Sequence, residues 1–189
     1  MKRIFFVLGM LFLFLFPETS GLSAQELALK SNLLYDATGT INLGGEYMCG
    51  TSNTVSLEVS YNPWEWGDNK KRKLLLIQPE FRWWKSAPFM GLFAGIQASF
   101  AQYNMGGTTP FTTIRNNRYQ GTLFGGGVTM GYHWMLGNLW NLEAGLSVGY
   151  LYLDYKKYGQ PENAPLLKQS ATGYWGLTRV GLSLVYFLR

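Results

Sequence analysis

Cysteine and histidine are almost missing from this chain of 189 residues, which holds one of each. A lone Cys forms no internal disulfide, and with no C-x-x-C or Cys/His cluster there is no structural metal site to read. A single His excludes the commoner zinc-enzyme ligand sets. Charge is sparse as well, at 14% of residues with a formal net of +5. Disorder is nonetheless excluded, because 47% hydrophobic and 16% aromatic residues are far more than a chain without a core carries. Also lacking is an apolar run able to cross a bilayer as a helix. The longest, Ile4 to Phe16, has 13 residues, short of the roughly 18 required. The length fits one domain, a large all-β one included.

What is present begins with a leader. Lys2 and Arg3 precede the Ile4–Phe16 run, Pro17 closes it, and Leu22-Ser23-Ala24 offers a small residue at a cleavage position. Residues 1–24 read as a secretory signal peptide and 25–189 as the exported domain. The competing reading is an uncleaved anchor. No Cys follows closely enough for a lipoprotein. Removing the leader leaves 14 Lys+Arg and 10 Asp+Glu, a net of +4.

The remainder alternates with a period of two, clearest in Val55-Ser56-Leu57-Glu58-Val59-Ser60-Tyr61, the pattern of a strand with two unlike faces. Seven more segments keep one parity apolar. They run through Leu27–Tyr35, Ile41–Tyr47, Leu75–Trp83, Met90–Phe100, Phe124–Trp134, Leu142–Tyr152 and Tyr174–Leu188. Every charge within them, namely Lys30, Glu46, Glu58, Glu80, Arg82, Glu143 and Arg179, falls on the polar parity. A lipid-facing parity predicts this, since Lys or Arg at mid-bilayer costs roughly 2–4 kcal/mol. Aromatics at segment ends, from Tyr35, Tyr47 and Tyr61 to Trp83, Phe100, Trp134, Tyr152, Tyr174 and Tyr186, match interfacial girdles. Pro79 lies inside a segment and lacks a ladder donor, so a bulge or local break is expected there.

The intervening stretches are Asp36–Gly39, Met48–Asn53, Asn62–Lys73, Lys85–Pro88, Asn104–Arg118, Met135–Leu139 and Asp154–Thr172. After the first, long and tight connections alternate, as in an outer-membrane barrel with periplasmic termini. The expectation is an all-β, eight-stranded antiparallel up-and-down transmembrane β-barrel in the outer membrane. A secreted lipocalin-like barrel around an apolar ligand shares the strand count and the parity, with its faces reversed. The few, nearly balanced charges and the many glycines of the polar parity suit a crowded lumen and favour the membrane version.

Eight strands enclose a lumen just wide enough for side chains. The seven charges, with Gln78, are therefore expected to form a paired, hydrogen-bonded interior plug instead of lining a pore. A lipid-modifying barrel enzyme would have to use His133, which this topology puts near the periplasmic end as an interfacial residue, and no G-x-S-x-G or H-E-x-x-H pattern accompanies it. Gly125-Gly126-Gly127 opens no helix, so no phosphate loop is implied. The reading is non-enzymatic, with no cofactor, metal or nucleic acid.

Function then falls to the long loops. Asn62–Lys73 carries Trp64 and Trp66 and the basic run Lys70, Lys71, Arg72 and Lys73, while Arg115 and Arg118 sit in the next loop and Lys156, Lys157 and Lys168 in the last. The cations suit anionic lipopolysaccharide headgroups. The tryptophans either stack on sugar or pack the barrel mouth. Structural, adhesive or surface-assembly duties follow from such a rim.

Several stretches also resemble a known family: Lys30-Ser31-Asn32-Leu33-Leu34-Tyr35-Asp36-Ala37-Thr38 with Asn42-Leu43-Gly44, Tyr61-Asn62-Pro63-Trp64, and Gln78-Pro79-Glu80-Phe81-Arg82-Trp83-Trp84. Gln102-Tyr103-Asn104 and Gly149-Tyr150 fit too. Together they are similar to the Bacteroidetes domain-of-unknown-function family 3575, small predicted outer-membrane barrels. The resemblance implies an envelope location, a barrel and an association with surface fimbriae, and supplies no reaction or ligand. The chain departs from barrel practice at its end, Phe187-Leu188-Arg189, where an aromatic residue is usual.

Overall fold

A computed structural model gives the fold, described for residues 27–66, 70–107, 117–159 and 165–188; the leader read at 1–24 lies outside them. Eight strands follow in order: β1 (Leu27–Asn32), β2 (Ile41–Met48), β3 (Asn53–Trp66), β4 (Lys70–Trp84), β5 (Gly91–Gly106), β6 (Arg118–Met135), β7 (Trp140–Tyr158) and β8 (Leu166–Leu188). One short helix, α1 (Leu33–Ala37), separates β1 from β2. Each strand pairs antiparallel with its neighbour in sequence, and β8 returns to β1, so the sheet is a closed up-and-down ring.

Register fixes the slant of the strands. Followed from Ala28 through Glu46, Ser56, Glu80, Gln97, Gly127 and Gly149, the ladder reaches β8 at Gly176. Ala28 itself pairs with Phe187. This stagger of eleven residues along β8 makes the strands lean, by the roughly 35–45° typical of barrels.

The two parities separate cleanly. Leu43, Ile96 and Val128 on the outward parity are 60%, 53% and 55% exposed, whereas Glu46 and Arg82 on the inward one are 0% and 1% exposed. The faces are thus inverted relative to a soluble protein, with charge inside and hydrocarbon outside.

Four sequence expectations are corrected. Leu33 and Tyr35 leave the first strand for α1, because the Asn32 side chain caps the turn by accepting from the Leu34 N–H at 3.1 Å. Thr38 N–H closes on Tyr35 O at 3.0 Å, and Gly39, at φ +73°, turns the chain back into β2. The stretches Asn62–Lys73 and Asp154–Thr172 are largely strand, since pairing continues from Asn62↔Leu74 to Trp66↔Lys70 and from Asp154↔Ala171 to Tyr158↔Leu166. There the walls rise above the apolar band, where nothing requires one face to be hydrocarbon, and alternation fades although the ladder persists. The connection between β3 and β4 is consequently short, which breaks the expected length alternation.

Pro79 brings the expected local break, in the form of missing ladder pairs and not of a bulge. Its pairing with Leu57 is in register, and the β4–β5 ladder passes from Ile77↔Phe100 to Glu80↔Gln97 without a shift, only skipping the two positions between. Two bulges lie instead on β8, where Ser147↔Arg179 and Val148↔Leu177 leave Thr178 unmatched and Lys157↔Lys168 and Tyr158↔Leu166 leave Leu167 unmatched.

Inward glycines let β6 and β7 lie close together. A Cβ on Gly149 would sit 2.1 Å from Gly126 O and 2.4 Å from Gly127 Cα. Gly149→Ala is therefore expected to force the strands apart and cost about 1–3 kcal/mol. Gly137→Ala, in a turn where a Cβ meets nothing within 4 Å, should leave the denaturant midpoint almost unchanged.

Candidate functional site

The lumen is built in layers, beginning with an apolar plug at the end holding the short turns. Ala28, Trp84, Phe93, Val185 and Phe187 point inward from the strands and Phe89 folds in from the β4–β5 turn, all buried. Phe89 holds a positive φ of 64°, uncommon for a bulky residue, while its ring sits 5.0 Å from Phe187 and 5.7 Å from Trp84. Burial of that ring is what offsets the strained backbone.

Above the plug lie the seven charges named from sequence, joined in one network. Arg82 reaches Glu46 and Glu143 at 2.9 Å each and Glu80 at 2.8 Å. Lys30 contacts Glu46 at 2.6 Å, Glu143 at 3.5 Å and Glu58 at 3.8 Å. Arg179 bonds Glu80 at 2.8 Å and also Glu58. Three cations face four carboxylates, and the void between them is about 10 Å³, roughly one water. With the plug beneath, this packing leaves no aqueous channel among the described residues.

Of the uncharged partners, sequence reasoning named Gln78 alone. Thr54 Oγ1 donates to Glu46 at 2.5 Å and accepts from Trp84 Nε1 at 2.9 Å. Gln78, Gln97 and Ser99 form the layer above the charges, Gln78 Nε2 donating to the other two at 3.3 and 3.1 Å. For Thr54, Gln97 and Ser99 inward parity was the available signal, and attention to formal charge passed over it. His133 was placed at the interface and is instead inside the ring, 2% exposed, with Nδ1 3.4 Å from Glu143 and its ring among Trp84, Phe89 and Phe187.

At the opposite end the basic residues are more engaged than a solvated loop would be. Trp64 Nε1 donates to Gly39 O at 2.6 Å and Arg72 to Thr38 O at 3.0 Å, so both pin the α1–β2 turn over the mouth. Trp64 remains 43% exposed. Lys71, at 2.6 Å, and Lys73 both grip Glu65. Arg118 lies 4.7 Å above the Tyr158 ring and Lys157 5.9 Å from that of Tyr119. Lys156 and Lys168 are exposed. Arg115 and the side chains of Trp66 and Lys70 lie outside the described residues. The residues read as one contact surface are thus split between the β3–β4 hairpin and the β6–β8 wall.

No group of His, Cys, Asp or Glu among the described residues has the arrangement of a metal site. The family model described as "Protein of unknown function (DUF3575)" matches residues 9–188. No curated protein and no solved structure matches the chain.

Removing one network cation should be severe. Arg82→Met would leave four buried carboxylates facing only Lys30 and Arg179 and is expected to cost about 3–5 kcal/mol by denaturant unfolding. Lys71→Met on the exposed hairpin should cost under about 1 kcal/mol.

The bonds from Lys71 and Lys73 hold Glu65 down to about 2, from an ordinary 4.5. Its folded value is depressed, so the clasp contributes above the ordinary carboxylate range and is lost as pH falls through about 2. A carboxyl NMR titration of Glu65 should place its midpoint near 2, and near 4.5 once both lysines are replaced by Met.

Proposed function

The chain belongs to the DUF3575 family, whose activity is unknown, and we propose that it is a sealed, non-enzymatic outer-membrane barrel acting through its tall rim. One observation carries this reading: the outward face is hydrocarbon and free of charge along the middle of every strand, while the charges are buried inside. In water such a surface would be an aggregation hazard; in a bilayer it is the solvated face.

Two aromatic tiers support it. Trp134, Tyr132, Trp140, Tyr186 and Trp83 ring the short-turn end, with Tyr132–Trp134 and Trp140–Tyr186 centroids 4.9 and 4.8 Å apart. Phe124, Tyr152, Tyr150 and Trp175 form the other tier, Phe124–Tyr152 at 5.1 Å and Tyr150–Trp175 at 5.3 Å. The ten residue-to-residue steps of β6 from Phe124 to Trp134, at about 3.4 Å each and leaning by about 40°, span about 26 Å. That is close to the apolar band of roughly 25 Å in outer-membrane barrels.

In this orientation the leader exports the chain, the short turns face the periplasm and the tall β3–β4 and β7–β8 hairpins stand outside the cell. Lys156, Lys168 and Arg118 then lie at the level of anionic lipopolysaccharide headgroups, and the rim above them serves structural, adhesive or assembly contacts with surface or fimbrial proteins. A plugged lumen leaves the rim as the working surface.

The test is assembly. Unboiled protein extracted from envelopes in detergent should migrate differently from boiled protein. Val128→Arg, placing a cation at mid-band at a cost of roughly 2–4 kcal/mol, should abolish the shifted band, whereas Val128→Leu should keep it. Equal assembly of both variants, or recovery of the native protein in the soluble fraction, would overturn the membrane reading.

A further inference from the structure

Two strand ends rise above the short β1, and their edges are treated differently. The upper end of β3 carries Pro63, which has no N–H to offer, and Trp64 ties it to the α1–β2 turn. Such devices blunt an edge against pairing with another chain. β8 has none of them from Gln169 to Trp175. That stretch holds no charge and no Pro, and the bulges at Leu167 and Thr178 lie beyond its ends. Among the described residues no strand pairs with it on the β1 side. From Lys168 to Trp175 every residue except the half-buried Ser170 is exposed.

The ladder shows which backbone groups are open. Phe187 N–H donates to Leu139 O at 3.0 Å, and in antiparallel pairing alternate residues turn both backbone groups to the same neighbour. Followed from Leu139 along β7, which pairs with β6 without a shift, the odd-numbered residues bond β8. Gln169, Ala171, Gly173 and Trp175 stand opposite the even-numbered Lys156, Asp154, Tyr152 and Tyr150. Their N–H and C=O groups therefore point away from β7, out of the sheet edge.

Side chains narrow the partner. Lys157 and Lys168 face each other directly across the β7–β8 ladder, a like-charge pair that an added carboxylate would relieve. At the other end Trp175 is 77% exposed, although its ring meets Tyr150 at 5.3 Å. A strand antiparallel to β8, the better-bonded sense, would enter beside Trp175 and leave beside Lys168. It needs an apolar residue near its start and an acid near its end, and nothing between them calls for charge.

We propose that the β8 edge from Lys168 to Trp175 takes up such an extended segment of another protein, continuing the β1–β8 seam beyond α1. A second copy fits less well, because two copies in one membrane run β8 in the same sense and would meet parallel. The proposal rests on the outer-membrane reading, which sets this edge above the outer aromatic tier and outside the cell.

The experiment uses the full exported chain in amphipol and the amidated peptide Ile-Thr-Val-Thr-Val-Thr-Thr-Glu. Added peptide should protect the Ala171 and Gly173 amides from hydrogen exchange and leave that of Thr172, which faces β7, unchanged. Ala171→Pro removes one edge donor and spares the β7 ladder. It should weaken binding about tenfold while retaining the folded, heat-shifted band, whereas Ala171→Thr should bind like the native protein. The same peptide ending in Lys should bind about threefold less well, and Lys168→Glu should reverse that order. Absence of protection, or undiminished binding to the Ala171→Pro variant, would overturn the edge. Protection of Ala171 and Gly173 before any peptide is added would overturn it as well, a dimer by light scattering then naming a second copy as the occupant. Equal binding of the two peptides would overturn the assigned acid. Binding is read on purified protein, so its failure is distinct from failure of the envelope-assembly test.

Discussion

The structure depends on a desolvated ion network at the centre of a ring too narrow to hold a water column. Lys30, Glu46, Glu58, Glu80, Arg82, Glu143 and Arg179 come from β1, β2, β3, β4, β7 and β8, so their pairing ties six strands across the lumen. Stripping water from seven charges is expensive, and mutual attraction offsets that expense only when partners and geometry are complete. The need for partners is itself a constraint on register. A one-residue slip of any of these strands would turn its charge outward into hydrocarbon and leave its partners bare. The network thus selects one closed arrangement among those the apolar pattern alone would permit.

The other layers follow from that choice. Below the charges Trp84, Phe93, Phe187 and the inserted Phe89 exclude water and lower the local dielectric, which strengthens the ion pairs they cover. Above, the Gln78–Gln97–Ser99 bonds end the polar section and hand over to leucines. Strands β5 and β6 bring no charge to the lumen. The close approach of β6 and β7 is instead secured by glycines whose missing side chains make room for neighbouring backbone.

Most of the ring was legible in the sequence because its middle is subject to one strict rule, apolar on one parity and everything else on the other. Strand number, antiparallel order and the seven inward charges follow from that rule. Legibility ended where the rule lapses. Trp64, Lys71 and Lys73 alternate by no hydropathic criterion, yet their ladder continues, and they were read as loop. Asn32 caps a helix through one side-chain bond, a signal confined to a single residue inside an otherwise alternating stretch. Phe89 belongs to a turn, where period two predicts nothing. His133 carried the right parity, and its adjacent Tyr132 and Trp134 suggested an interface that belongs only to them, on the opposite face of the same strand.

The wall is uneven. Among the described residues β1 meets β8 from Leu27 to Asn32, while β8 continues upward to Leu166, and just above Ser183 its flank meets α1 instead of another strand. β1 is held by the two shortest ladders, four pairs to β2 and six to β8, and only the first of them is a hairpin. The β3 to β8 hairpins are sequence-local and zip with small loop-closure cost, whereas the β1–β8 seam joins the two ends of the chain and gains little backbone bonding for the entropy it surrenders. Closure of that seam is therefore the late event of assembly. Under load, heat or extraction the ring should part first beside α1, with Asn32 the last rivet: its side chain spans to Val180 O and the Leu182 N–H just above the final paired position.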